Sequence, residues 1–174
     1  MHALHFVLPG DPDALTGGYI YDKRIIDGLR SNGRKVYRHL LPNGFPFRNA
    51  RTLQESSRII RRIPDDSLVV VDGLALAPLY QLIGEEAARL ILIGLIHHPL
   101  SEETGISAAQ NSFLRIQEQR ALAACAHIVV TSSTTASTLI SDYGVTPHRL
   151  TVIEPGVDPA PLASGSCDDT LNLL

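Results

Sequence analysis

The densest group of residues able to move protons or hold a polar ligand is His97-His98-Pro99-Leu100-Ser101-Glu102-Glu103-Thr104-Gly105. Imidazole donates or accepts near neutral pH, and a carboxylate can hold a ligand hydroxyl or orient an imidazole. The run follows the apolar stretch Leu90 to Ile96 directly, so the two histidines stand at the end of a predicted strand. Consecutive side chains on a strand point to opposite sides, so His97 and His98 chelate poorly together, and no metal site is expected. His97 and His98 are therefore candidate catalytic groups. The plainer alternative has one capping the sheet and the other solvated.

Three further segments carry polar chemistry. Pro9-Gly10-Asp11-Pro12-Asp13-Ala14-Leu15-Thr16-Gly17-Gly18 leads from an apolar run into a helical one. Glycines there let a backbone approach an anion, and the free N–H groups of a helix start favour phosphate. The loop has neither the G-x-G-x-x-G spacing of dinucleotide sites nor the G-x-x-x-x-G-K-[ST] of P-loops, so those readings are poor. Thr131-Ser132-Ser133-Thr134-Thr135 precedes another helical stretch; its hydroxyls serve first as caps, and Ser132 is a second candidate for anion contact. Asp72-Gly73 is a further carboxylate at a strand end, without a second signal. Glu118 and Arg120 read as a solvated pair, or as a salt bridge to a neighbouring loop, rather than as catalytic groups.

The elements that must position these residues alternate. Apolar runs at Leu4–Leu8, Val36–Leu41, Leu68–Val71, Leu90–Ile96, Ile128–Val130 and Leu150–Ile153 read as buried strands. Between them, Tyr19–Ser31, Ala50–Ile63, Ala75–Ala88, Ile106–Ala126 and Thr134–Tyr143 read as helices. On the first, Tyr21, Ile25 and Leu29 share a face; on the fourth, Phe113, Ile116, Arg120 and Ala124 lie on related faces. This alternation predicts an α/β fold, a Rossmann-like doubly wound parallel sheet with helices on both faces. Right-handed crossovers then bring every strand's C-terminal end, with all the loops above, to one edge.

Composition excludes several classes. The chain has 174 residues, enough for one compact domain, and a net charge of −3, which gives no reason to expect a nucleic-acid surface. Cys125 and Cys167 form no motif, as in a reduced cytoplasmic protein. No basic segment and apolar core of a signal peptide opens the chain, and no apolar run approaches the roughly 20 residues that span a bilayer. Peripheral membrane contact has only Phe45 and Phe47, in Pro42-Asn43-Gly44-Phe45-Pro46-Phe47, to speak for it. Those two rings could as well touch a bound ligand or pack on the domain. A hydrolase using His97 or His98 as base would need a nucleophile, and no G-x-S-x-G elbow occurs.

Gly17-Gly18, then His97-His98-Pro99-Leu100 with Glu103-Thr104-Gly105, then Glu118 with Ala121-Leu122, Ile128-Val129-Val130-Thr131-Ser132-Ser133 and Pro155-Gly156-Val157-Asp158 occur in that order. The series resembles the N-terminal domain of family-4 glycosyltransferases, which have the two-domain GT-B fold. The resemblance implies a Rossmann-like, acceptor-side domain over residues 1–160. Residues 161–174 would be a linker and the opening of a C-terminal domain, with Leu171–Leu174 as a strand beginning. It implies transfer of a sugar from a nucleotide-sugar donor to an acceptor hydroxyl, with retained anomeric configuration and no metal or other cofactor. Gly17 and Gly18 would approach the donor diphosphate or the acceptor. His97, with His98 as the neighbouring option, would lie close to the donor sugar, and Glu103 could hold an acceptor hydroxyl. The groups that grip the nucleotide belong to the family's second domain, so this chain alone is expected to be inactive. A stand-alone binding domain without chemistry is the alternative.

Overall fold

The computed structural model describes residues 3–11 and 14–162. The expected strand at Leu171–Leu174 and Cys167 lie outside the described residues. Six strands form one parallel sheet in the order β2-β1-β3-β4-β5-β6. They are β1 (Leu4–Pro9), β2 (Val36–Leu41), β3 (Leu68–Asp72), β4 (Ile91–Ile96), β5 (His127–Val130) and β6 (Leu150–Val152). The central strands are rich in Val, Ile and Leu because both of their faces are covered, which removes the alternation a half-exposed strand would show. At Gly94 in β4 an added Cβ would lie 3.0 Å from Leu76 Cδ2 and 3.5 Å from Cys125 Sγ, so neighbouring side chains rest directly on the strand.

The helices are α1 (Gly17–Ser31), α2 (Ala50–Ile60), α3 (Gly73–Leu76), α4 (Tyr80–Glu86), α5 (Ala108–Ala124) and α6 (Ser133–Tyr143). Side-chain caps set several starts: Thr16 accepts from the Tyr19 amide, Asn49 from Thr52, and Ser107 forms a reciprocal box with Gln110. The chain leaves α6 through Gly144, whose left-handed backbone (φ 72°) suits glycine.

Three expectations need correction. The helix expected over residues 75–88 is two short helices, because Pro78 has no N–H to donate and its ring crowds the preceding turn. The helix expected to run to Ile63 ends at Ile60, although Ile63 is still buried. The face of α5 carrying Phe113 and Ile116 is outward, and those residues are 61% and 50% exposed. Its buried face is Leu114, Gln117, Glu118, Ala121 and Leu122. Two polar residues sit in that face, so hydrophobic periodicity pointed the wrong way. In the loop after β2 the two aromatics separate: Phe45 packs against the core, while Phe47 is exposed.

The two faces of the sheet are unequally covered. Tyr21 and Ile26 of α1 pack with Phe6, Leu8, Val36, Val70 and Leu95 on one side. Ile60, Leu76, Ile83, Leu122 and Leu139, from the other helices, join Val7, Val71 and Ile128 on the opposite side. A right-handed crossover from β1 out to β2 lays α1 on one face. All later crossovers run the other way across the sheet and lay their helices on the other face. The order reverses between β1 and β3, and a crevice opens there at the C-terminal ends of the strands.

Candidate active site

The loop after β1, the start of α1, the end of β3 and the segment after β4 meet at that reversal. They enclose a pocket of about 140 Å³ lined by Gly18, Tyr19, Asp72, His97, His98 and Glu103, with Thr16, Gly73, Leu74 and Leu100 completing the wall. His97 is half-buried, whereas His98 and Glu103 are exposed.

His97 is held from several directions. Its Nε2 lies 3.1 Å from Asp22 Oδ1 and 3.6 Å from Asp72 Oδ2. Its ring meets Tyr21 edge-on at 5.3 Å between centroids. Its backbone carbonyl accepts from the hydroxyls of Thr131 (3.3 Å) and Thr135 (3.4 Å). Gly18 faces the ring: an added Cβ would be 3.3 Å from His97 Cδ2. Asp72 has a second task, since its Oδ1 accepts from the Leu74 amide at 2.8 Å and caps α3. Tyr19 donates its hydroxyl to the Pro9 carbonyl at 2.7 Å, tying the glycine loop to the end of β1.

The electrostatics follow from this geometry. Burial works to lower the His97 pKa, but the hydrogen bonds and charges of Asp22 and Asp72 more than offset it and raise it to about 9. Burial is also the main reason Asp22 is raised, to about 6; the bond to His97 pulls the other way, and the nearby Asp72 charge adds to the rise. The two shifts favour placing the shared proton on His97 rather than on Asp22. Burial likewise raises Tyr19, helped by Asp72, Asp22 and Asp11. Donor atoms of Asp22, Asp72 and His97 lie within 4.8 Å of one another, a spacing a cation could also use. Of the three, His97 Nε2 and Asp22 Oδ1 are within hydrogen-bond distance, and Asp72 Oδ2 stands 3.6 Å from the same nitrogen.

The segment after the histidines is braced from behind. Glu118 of α5, buried, accepts from the Leu100 and Ser101 amides, the latter at 3.1 Å. The Ser101 hydroxyl bonds to Tyr143 of α6, and Asn111 donates to the Ser101 carbonyl. Contrary to the expectation from sequence, Glu118 is thus neither solvated nor in a salt bridge. It satisfies the amides of a single 3₁₀ turn, Leu100–Glu102, and burial raises its pKa. Arg120 instead lies over the Tyr80 ring.

The sequence candidates divide in space. His97, His98, Gly18 and Glu103 line one pocket. Gly17 lies beside it, in a separate hollow that α1 forms with Glu154–Asp158. Ser132 lines neither; its hydroxyl accepts from the Thr135 amide at 3.1 Å and caps α6. Gly17 and Gly18 are the first residues of α1 rather than the loop before it. Asp22 and Tyr19 escaped sequence reasoning. A readable signal existed for Asp22, which stands four residues after Gly18 and so on the same face of α1.

The sequence profile of Glycosyltransferase Family 4 matches residues 2–161, nearly the whole chain. The chain belongs to glycosyltransferase family 4. Among curated proteins no match is found. Membership accords with the parallel Rossmann-like sheet and with a pocket at its switch point. The resemblance drawn from Gly17-Gly18, the His97 segment and Pro155-Gly156-Val157-Asp158 thus identified the family. No described helix of this family-4 chain is long and apolar enough to cross a membrane.

Proposed function

We propose that this chain is the acceptor-side domain of a retaining, metal-independent glycosyltransferase. It would move a sugar, of hexosyl type, from a nucleotide-sugar donor to an acceptor hydroxyl in carbohydrate biosynthesis within the cytoplasm. The observation that carries this reading is the pocket at the sheet's switch point, where His97, held by Asp22, lines a cavity of about 140 Å³. No Lys or Arg is among the described residues lining that pocket, while Asp72 and Glu103 are. Carboxylates accept from sugar hydroxyls and repel phosphate, so the pocket suits a neutral acceptor better than a diphosphate. The donor nucleotide would then be gripped by a C-terminal domain following this one. In transfer, His97 would lie close to the donor sugar and donate a hydrogen bond to one of its oxygens.

The test uses the longest natural polypeptide containing this chain, assayed against a nucleotide-sugar panel with hydroxyl acceptors. Transfer with retention is expected, and His97→Ala should lower kcat by roughly 100-fold while donor binding stays largely intact. Binding of a saccharide without turnover of any donor would overturn the reading in favour of a non-catalytic binding domain.

A further inference from the structure

We propose that Asp22 is a positioning residue: with Asp72 it holds the His97 ring by Nε2 and leaves Nδ1 as the ring nitrogen able to donate a hydrogen bond to a ligand oxygen. The hold on the ring is purely a matter of geometry; its use in sugar transfer rests on the glycosyltransferase reading above.

Asp22 is 1% exposed, and its Oδ2 is the one buried side-chain oxygen or nitrogen among the described residues with no hydrogen-bond partner. A carboxylate in that state is costly unless a cation neutralises it. The adjacent cation is His97, 3.1 Å from Oδ1. The rest of α1 is shaped to the same ring. Gly18 leaves room for it, Tyr21 meets its edge, and both lie within about one turn of Asp22. Asp72 approaches Nε2 at 3.6 Å from the end of β3. The charged or titratable groups around the ring are therefore Tyr19, Tyr21 and Asp22 from α1, Asp72 from β3, and His98 and Glu103 from the segment after β4. Two carboxylates on one nitrogen keep a proton there, so Nδ1 is the nitrogen left to meet a ligand. None of the hydrogen bonds found among the described residues uses it. Burial disfavours the second proton, but the paired carboxylates outweigh it, so Nδ1 also carries hydrogen at neutral pH.

The experiment is an imidazole nitrogen-15 titration of the labelled chain, with His97 assigned by the signal that His97→Gln removes. In wild type both ring nitrogens should be protonated at about pH 7.5, above the ordinary imidazole midpoint. Asp22→Asn should lower the midpoint by about one pH unit or more, and Asp72→Asn by less. A wild-type midpoint near the ordinary value of about 6.5 would overturn the proposal, as would an Asp22→Asn protein that folds and titrates unchanged. Should Asp22→Asn fail to fold, the wild-type midpoint together with Asp72→Asn still decides it. Lack of sugar transfer in the longest natural polypeptide would count against the glycosyltransferase reading alone, because the spectra test the hold of Asp22 on His97 without any turnover.

Discussion

Between two carboxylates and largely out of water, an imidazole keeps its proton to higher pH, and His97 is in that position. Its raised pKa means that its stabilising contribution is complete below the unfolded value of 6.5 and is lost as pH rises through about 9. Asp22 is raised as well, so its proton-linked contribution is complete below 3.8 and fades as pH rises through about 6. Both groups therefore favour the folded state at the acid side of their windows. Urea midpoints measured at about pH 7 and pH 9.5 should differ, wild type losing on the order of 1–3 kcal/mol, and most of that loss should vanish in His97→Gln. An unchanged wild-type midpoint would contradict the ion pair. The residue types at 97 and 98 announced chemistry in the sequence. Nothing local said which histidine would turn inward, because that depends on Asp22, 75 residues away.

At the scale of elements, the first turn of α1 and the middle of α5 decide the site. Gly18→Ala ought to improve helix propensity yet push a methyl within 3.3 Å of the His97 ring. We expect a stable protein whose transfer activity falls by roughly 10–100-fold, read as kcat beside a thermal melt. Intact activity would show that the ring has slack. Glu118→Ala orphans the Leu100 and Ser101 amides and should cost about 2–4 kcal/mol in urea unfolding. Faster hydrogen exchange at those two amides would confirm the cause, and full protection would refute it. Most helices were legible in the sequence from their caps and periodicity. The buried face of α5 was not, since Gln117 and Glu118 look solvent-facing until a partner loop is known. The break at Pro78 was visible in principle, because proline forbids the bond a continuous helix needs.

For the whole molecule, the reversal of strand order between β1 and β3 gathers four separate segments into one crevice. No Lys or Arg is among the described residues lining the pocket to grip a diphosphate, so the 174 residues by themselves should show no efficient sugar transfer. Efficient turnover of a nucleotide sugar by the 174 residues alone would refute that. Tyr21 bonding to the Ile153 carbonyl at 2.8 Å, and Arg24 paired with Asp158, lay the exit segment along α1 beside the same edge. The amino-acid sequence alone determined the alternating strands and helices, the edge at which polar loops collect and, through ordered motifs, the family. Those are properties of local patterns and of chain handedness. Only the tertiary structure decided that Asp22 and Asp72 converge on His97, that Ser132 is spent on a cap and that Glu118 braces the loop. Contacts between residues distant in the chain depend on how helices dock across the sheet, and no local pattern encodes that.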